Sequence, residues 1–408
     1  MTGRQTFVIV GASLAGAKAA ETLRLEGFDG RIVLIGEEAE RPYERPPLSK
    51  GYLRGEEAPE SIFVHDESFY DERDVELRLS TRVTVLDPNG AQIGTEAGDR
   101  IAYDRLLLAT GAAPRRLDVP GSDLERIHHL RTVRDADALR DAFASTSRLA
   151  VVGAGWIGCE VAASARQLGV DVTLIGRTAT PLEHVLGPEV GAVYRDLHAD
   201  HGVALRLGTQ VEAFVGDEIV EGVRTAVGDV AADLVVVGVG AEPRIQLAAE
   251  AGLVLDHGIV VDEHLQTSAE GIFAAGDVAA AWHPALGRRL RVEHWANALH
   301  QGAVAAKNML GVATAYDRIP YFFSDQYDLS MEYAGHTTTW DQVVFRGNPQ
   351  GGEFLAFWLD HGRVVAGMNA NVSDANGSIQ ALIRARRIIP TADLADRDAS
   401  LDAMLDAT

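Results

Sequence analysis

Short apolar runs rich in Val, Ile and Leu punctuate most of the chain. TFVIV, RIVLI, RLLLA, RLAVV, DVTLI and DLVVV are continuous rather than alternating, which predicts strands buried on both faces of a parallel sheet. Between them lie segments such as AKAAETLRLEG and CEVAASARQLG, whose apolar residues recur at helical spacing. The order strand, Gly-rich turn, helix, strand occurs twice. TFVIVGASLAGAKAAETLRLEG leads to RIVLIGEE, and RLAVVGAGWIGCEVAASARQLG leads to VDVTLIGRT. Each copy is roughly thirty residues long, the size of one mononucleotide-binding half.

A second echo marks where each unit ends. DRLLLATGAAPR (Asp104 to Arg115) matches DLVVVGVGAEPR (Asp233 to Arg244), both buried-strand runs closed by Gly-Ala and Pro. This predicts a first domain at residues 1–113 that the chain re-enters over 243–317, and a second at 114–242. The stretch 243–317 contains TSAEGIFAAGDVAA and a helical RVEHWANALHQGAVAAKNML, with no fingerprint of its own. From residue 318 the pattern changes: YFFSDQYDLSMEYAG, VVFRG, EFLAFWL and RVVAGMN alternate as antiparallel strands do, and a helical SIQALIRARRII follows. The expected fold is α/β, with two Rossmann-like dinucleotide-binding domains and a C-terminal α+β domain, 318–408, built on an antiparallel sheet.

The glycine loops carry the first chemistry. Gly11 allows the tight turn out of its strand and Gly16 lets the helix lie close to the sheet, while Ser13 stands where a second glycine would admit a pyrophosphate. Glu37, roughly twenty residues after Gly16, is placed to accept ribose hydroxyls. The second loop has all three glycines, Gly153, Gly155 and Gly158. Its second strand ends differently: LIGEE becomes LIGRT, which puts Gly176 and Arg177 where a ribose-binding acid is expected. An arginine there can pair with the 2′-phosphate of NADP, and equally can face solvent. Two loops imply two dinucleotides, FAD and a nicotinamide coenzyme.

Composition narrows the class. The 408 residues carry a net charge of -22, which argues against a nucleic-acid partner. One cysteine, Cys159, excludes an intramolecular disulfide and a dithiol redox centre, and an iron–sulfur cluster held by this chain. No run approaches the roughly 18 apolar residues of a membrane span, and strand-like sequence beginning at Thr6 leaves no room for a signal peptide. The expectation is a cytoplasmic protein with no membrane association. Cys159 follows the last loop glycine at a helix start, where a thiol pKa can fall, but a small semi-polar residue against the sheet is the favoured reading.

With these features in place the chain resembles the FAD-dependent NAD(P)H:ferredoxin reductases of glutathione-reductase fold that serve haem mono-oxygenases and ring-hydroxylating dioxygenases. The resemblance rests on VGASLAG, RPYERPPLSKGYL, LLLATGAAPR, VVGAGWIGCE, VVVGVGAEPR, GIFAAGDVA, VEHWANALHQG and PYFFSDQYDL, in that order over nearly the whole chain. It implies that Lys50 approaches the flavin N5, that Glu160 pairs with Lys50 and helps position the nicotinamide, and that Asp277 binds the ribityl chain with help from a following helix N-terminus. It also implies FAD contacts at Ala15, Val83, Thr110, Gly111, Arg131 and Trp295, and a coenzyme contact at Gly240. Departures are the missing acid at Gly176, Ser13 in place of a glycine, and Phe323 where a tryptophan is expected over the nicotinamide side.

The implied activity takes a hydride from NADH or NADPH onto FAD and passes single electrons to a small iron–sulfur ferredoxin. A coenzyme A-disulfide reductase or peroxide-forming oxidase of the same fold needs a redox cysteine near PYERPPLSK, which has none. Rubredoxin or monodehydroascorbate reduction, and a non-enzymatic redox sensor resembling apoptosis-inducing factor, stay open. Turnover with a ferredoxin discriminates the last of these.

Overall fold

The computed structural model describes residues 4–406. The chain forms two compact units. One takes the chain up to Glu44, Glu60–Ala113 and Glu242–Pro320; the other takes Arg45–Pro59, Pro114–Ala241 and the chain from Tyr321 onward.

The first unit is built on a five-stranded parallel sheet in the order Ile272–Ala274, Arg105–Leu108, Thr6–Val10, Arg31–Ile35, Val75–Arg78. Phe7, Val8, Ile9, Leu106, Leu107, Leu108, Ile32, Val33 and Leu34 are buried almost completely, as continuous apolar runs require. The helix Leu14–Leu25 returns the chain from the central strand to Arg31–Ile35. Because Arg105–Leu108 lies on the other side of Thr6–Val10, the Gly11 loop leaves the sheet at its topological switch point, where open α/β sheets bind ligands. Gly302 in the helix Trp295–Met309 allows the close crossing with the first helix, since a Cβ there would fall 2.2 Å from the Ala15 carbonyl oxygen.

The second unit repeats the design in the order Ala204–Arg206, Asp171–Ile175, Arg148–Val152, Leu234–Val237, Ile127–His128, all parallel. It also holds the alternating C-terminal strands as an antiparallel sheet ordered Tyr321–Gln326, Leu329–Gly335, Arg363–Ala370, Glu353–Asp360, Gln342–Asn348. The fold class is the one the apolar pattern predicts.

Two local expectations are corrected. No helix follows Asp277: one tight turn, Gly276–Val278, leads straight into the strand Ala279–His283, because AAAWH is apolar and pairs with Arg288–Arg291. The next long helix starts only at Trp295, and Ala298 in its first turn lies beside Gly276. At the other end, the helix Asn376–Ala385 stops where Arg386 takes φ 52°, and Arg387, Ile388 and Ile389 continue without helix.

Candidate functional site

Both loops have the backbone their glycines foretell. Gly11 has φ 119°, and a Cβ there would stand 2.0 Å from the Ala109 carbonyl oxygen; Gly153 has φ 111°, and a Cβ would stand 2.2 Å from that of Gly238. A side chain is impossible at either turn. Gly16 and Gly158 abut the carbonyls of Gly11 and Gly153 in the same way. Gly155, by contrast, faces open space and is the residue that starts the helix Trp156–Gln167. Neither helix has a side-chain cap or an acid in its first turn, so both present free backbone N–H groups to an anion. Ser13 starts the first helix with an extended backbone, which needs no glycine, and its hydroxyl leaves the helix uncapped. The donor sets fit two dinucleotide pyrophosphates.

Around the first loop, Gly11, Glu37, Thr110, Gly111 and Asp277 all lie just past the carboxyl ends of neighbouring strands. Ala15 is buried in the first turn of the helix, beside Gly276. Glu37 forms an ion pair with Arg244, whose carbonyl accepts from Thr110 Oγ1 over 2.9 Å and whose N–H donates to the Gly111 carbonyl over 2.9 Å. Arg244 was not singled out in the sequence, although it closes the quoted GAEPR echo. Val83 opens the strand Val83–Asp87 of a separate three-stranded sheet, and Trp295 is the first residue of its helix. Arg131 lies in the second unit, where its carbonyl accepts from the Arg45 guanidinium.

The second loop has its own polar centre. Lys50 Nζ lies 2.9 Å from Glu160 Oε2 and 3.1 Å from the Pro46 carbonyl, which the Pro46–Ser49 turn aims at it. Glu160 is 4% exposed and sits in the second turn of its helix, beyond the stretch where a carboxylate serves the helix dipole. Its remaining partners are the Ser49 hydroxyl on Oε2 and Ser324 Oγ at 2.7 Å on Oε1. A buried carboxylate keeps its charge only with such partners. Phe323, on the same strand as Ser324, has its ring centre 5.6 Å from Lys50 Nζ, within cation–π range. Ser49 and Ser324 escaped the sequence reading. The signal was present, since Ser324 and Gln326 are polar at the inward positions of an alternating strand.

Gly240, at φ 106°, has open space beside its Cα, as a residue near a ligand can. Gly176 is buried and cannot carry a side chain comfortably, because a Cβ would stand 2.8 Å from the Ala154 Cβ. Arg177 is exposed and makes no hydrogen bond or ion pair among the described residues. Arg206, in register with Ile175 on the next strand, is likewise exposed, and its guanidinium has no partner among the described residues, a second cation at that edge. Cys159 is fully buried, and burial pushes its thiol well above the ordinary range. That is the reverse of an activated nucleophile.

This geometry defines a two-dinucleotide oxidoreductase, and comparison with known proteins agrees. The chain belongs to the pyridine nucleotide-disulphide oxidoreductase family, whose model matches residues 5–302. A reductase C-terminal model matches residues 321–405. It is 41% identical to the anthranilate 1,2-dioxygenase system ferredoxin–NAD(+) reductase component of Burkholderia cepacia, over 98% of this chain and 99% of that one. It is also 41% identical to rhodocoxin reductase of Rhodococcus erythropolis, over 86% of this chain and 83% of that one. Among solved structures, the covalent putidaredoxin reductase–putidaredoxin complex matches with a TM-score of 0.95 and 35% identity, covering 98% of both chains. No helix among the described residues is long and apolar enough to cross a membrane.

Proposed function

We propose that this chain is a cytoplasmic flavoprotein reductase of an oxygenase system, which takes a hydride from NADH or NADPH and delivers single electrons to a small, acidic iron–sulfur ferredoxin. The observation that carries the reading is the Lys50–Glu160 ion pair, between the residue that follows the Pro46–Ser49 turn and the helix that follows the second glycine loop. Support comes from relatives named as ferredoxin reductases over nearly their full length. The single cysteine matters as well, because it leaves no dithiol to hold an electron pair.

FAD, when bound, supplies the passage from two-electron donor to one-electron acceptor. The chain's own residues do the rest. The uncapped amides beyond Gly11 hold the flavin pyrophosphate, with Glu37 on the adenosine ribose and Asp277, Thr110, Gly111, Ala15, Val83, Arg131 and Trp295 along the rest of the cofactor. The Gly153–Gly158 loop holds the coenzyme pyrophosphate, Gly240 borders it, and Arg177 stands by its adenosine ribose. Lys50 supplies a fixed positive charge for the reduced ring, and Glu160 keeps that ammonium in place and accepts from the nicotinamide amide.

The deciding measurement is rapid-mixing reduction of the purified yellow protein by NADH and by NADPH, followed by turnover with a panel of two-iron and three- or four-iron ferredoxins. Fast reduction with ferredoxin-dependent turnover is expected. A protein that binds no FAD, or one that reduces slowly and passes electrons to no ferredoxin, refutes the reading.

A further inference from the structure

Beyond Glu160 the hydrogen bonds continue through the second unit. Ser324 Oγ donates to Glu160 Oε1 over 2.7 Å, and Gln326 Nε2 donates to Ser324 Oγ over 3.2 Å. His198 Nε2 stands 3.0 Å from Gln326 Oε1, and the Tyr327 hydroxyl 3.3 Å from His198 Nδ1. Ser324, Gln326 and His198 are buried, and Tyr327 carries the chain to the half-buried edge, stacked on His201 at 3.7 Å.

The donor directions are forced. Gln326 gives its amide N–H to Ser324, so its oxygen must accept, and His198 Nε2 must carry a hydrogen. The ring is neutral, since burial lowers the His198 pKa to about 4. Its Nδ1 therefore accepts, and Tyr327 donates. All four bonds point the same way, towards Glu160, and bonds aligned in series polarise one another.

A carboxylate offers about four lone-pair sites. Lys50 and Ser49 take the two on Oε2, and Ser324 takes one on Oε1. One site on Oε1 remains. We propose that Ser324, Gln326, His198 and Tyr327 are positioning residues that aim this remaining Oε1 site at an amide donor, the carboxamide N–H of the nicotinamide. The inference rests on the function proposed above and adds four residues to it. All four lie outside every glycine motif, and His198 lies outside every stretch that carries the family resemblance.

The test separates positioning from mere support of the fold by comparing two ligands. NAD(+) carries the carboxamide; ADP-ribose lacks the whole nicotinamide. Binding of each to the FAD-loaded protein is measured by calorimetry. His198→Phe should raise the Kd for NAD(+) about tenfold and that for ADP-ribose less than about twofold. His198→Gln, which keeps an amide donor where Nε2 stood, should restore NAD(+) binding. Tyr327→Phe removes only the outermost hydroxyl, so it should show the same split at about two- to threefold even if His198→Phe folds poorly. In steady-state kinetics the KM for NADH should rise more than kcat falls. Equal weakening of both ligands, or no change in either, overturns the positioning role while leaving the reductase reading intact. If the wild-type protein binds neither ligand, the reductase reading itself fails.

Discussion

Gly36 and Gly176 are counterparts in the two nucleotide-binding motifs. A Cβ on the first would fall 2.6 Å from the Ala12 Cβ, and one on the second 2.8 Å from the Ala154 Cβ. Arg177 is therefore the counterpart of Glu37, and the position usually filled by a ribose-binding acid holds a cation. The wild-type enzyme should accept NADPH, and Arg177→Glu should move the NADH/NADPH ratio of kcat/KM towards NADH by about ten- to a hundredfold. Placing the acid at Gly176 instead should lower the melting temperature, because the Ala154 contact admits no side chain. A strong wild-type preference for NADH that Arg177→Glu leaves unchanged would mean that the guanidinium faces solvent.

Glu37→Ala should weaken FAD retention. The carboxylate is 41% exposed and shared with Arg244, so its loss should cost about 1–2 kcal/mol, roughly tenfold in Kd. Flavin fluorescence on reconstitution of the apoprotein measures it. An unchanged Kd would remove Glu37 from the cofactor site.

Cys159 should be silent towards thiol reagents in the folded protein, since burial keeps its proton on. Cys159→Ala should leave flavin reduction by NADH within about twofold of wild type, and Cys159→Ser should cost about 1–2 kcal/mol of stability by burying a hydroxyl. Loss of reduction in a well-folded variant would show that the thiol takes part.

His198 gives the unit a pH-dependent stability. Its folded pKa of about 4 lies below the ordinary 6.5, so the unfolded chain takes up the proton first as pH falls. Stability should be full above pH 6.5 and decline towards pH 4, by on the order of 3 kcal/mol from this group. Urea unfolding at pH 7 and pH 5 should show a smaller drop for His198→Gln than for wild type. An equal drop in both would assign the loss to other groups.

The parallel sheets were legible because their central strands carry unbroken apolar runs such as FVIV, IVLI and LVVV, and the loops because Gly11 and Gly153 have no alternative at their φ. The tail was legible through its alternation. The connection after Asp277 was not, since AAAWH reads equally as helix or strand until Arg288–Arg291 pairs with it. Lys50 and Glu160 could be linked only through family resemblance, as nothing local in ERPPLSK reports a partner far along the chain. His198 left no trace at all: one histidine within a helix looks the same whether it meets water or Gln326.

Residues Arg45–Pro59 are flanked on both sides by the first unit, yet belong to the second. They carry Ser49 and Lys50, so the coenzyme-binding half cannot be inherited or transplanted as one contiguous segment. A recombination that exchanged residues 114–241 for a foreign equivalent would join a new helix to an old lysine and serine. Their match would then have to be re-established by compensating changes. Two stretches of gene must travel together, and that linkage ties the evolution of the glycine loop to a short proline-rich turn far upstream of it.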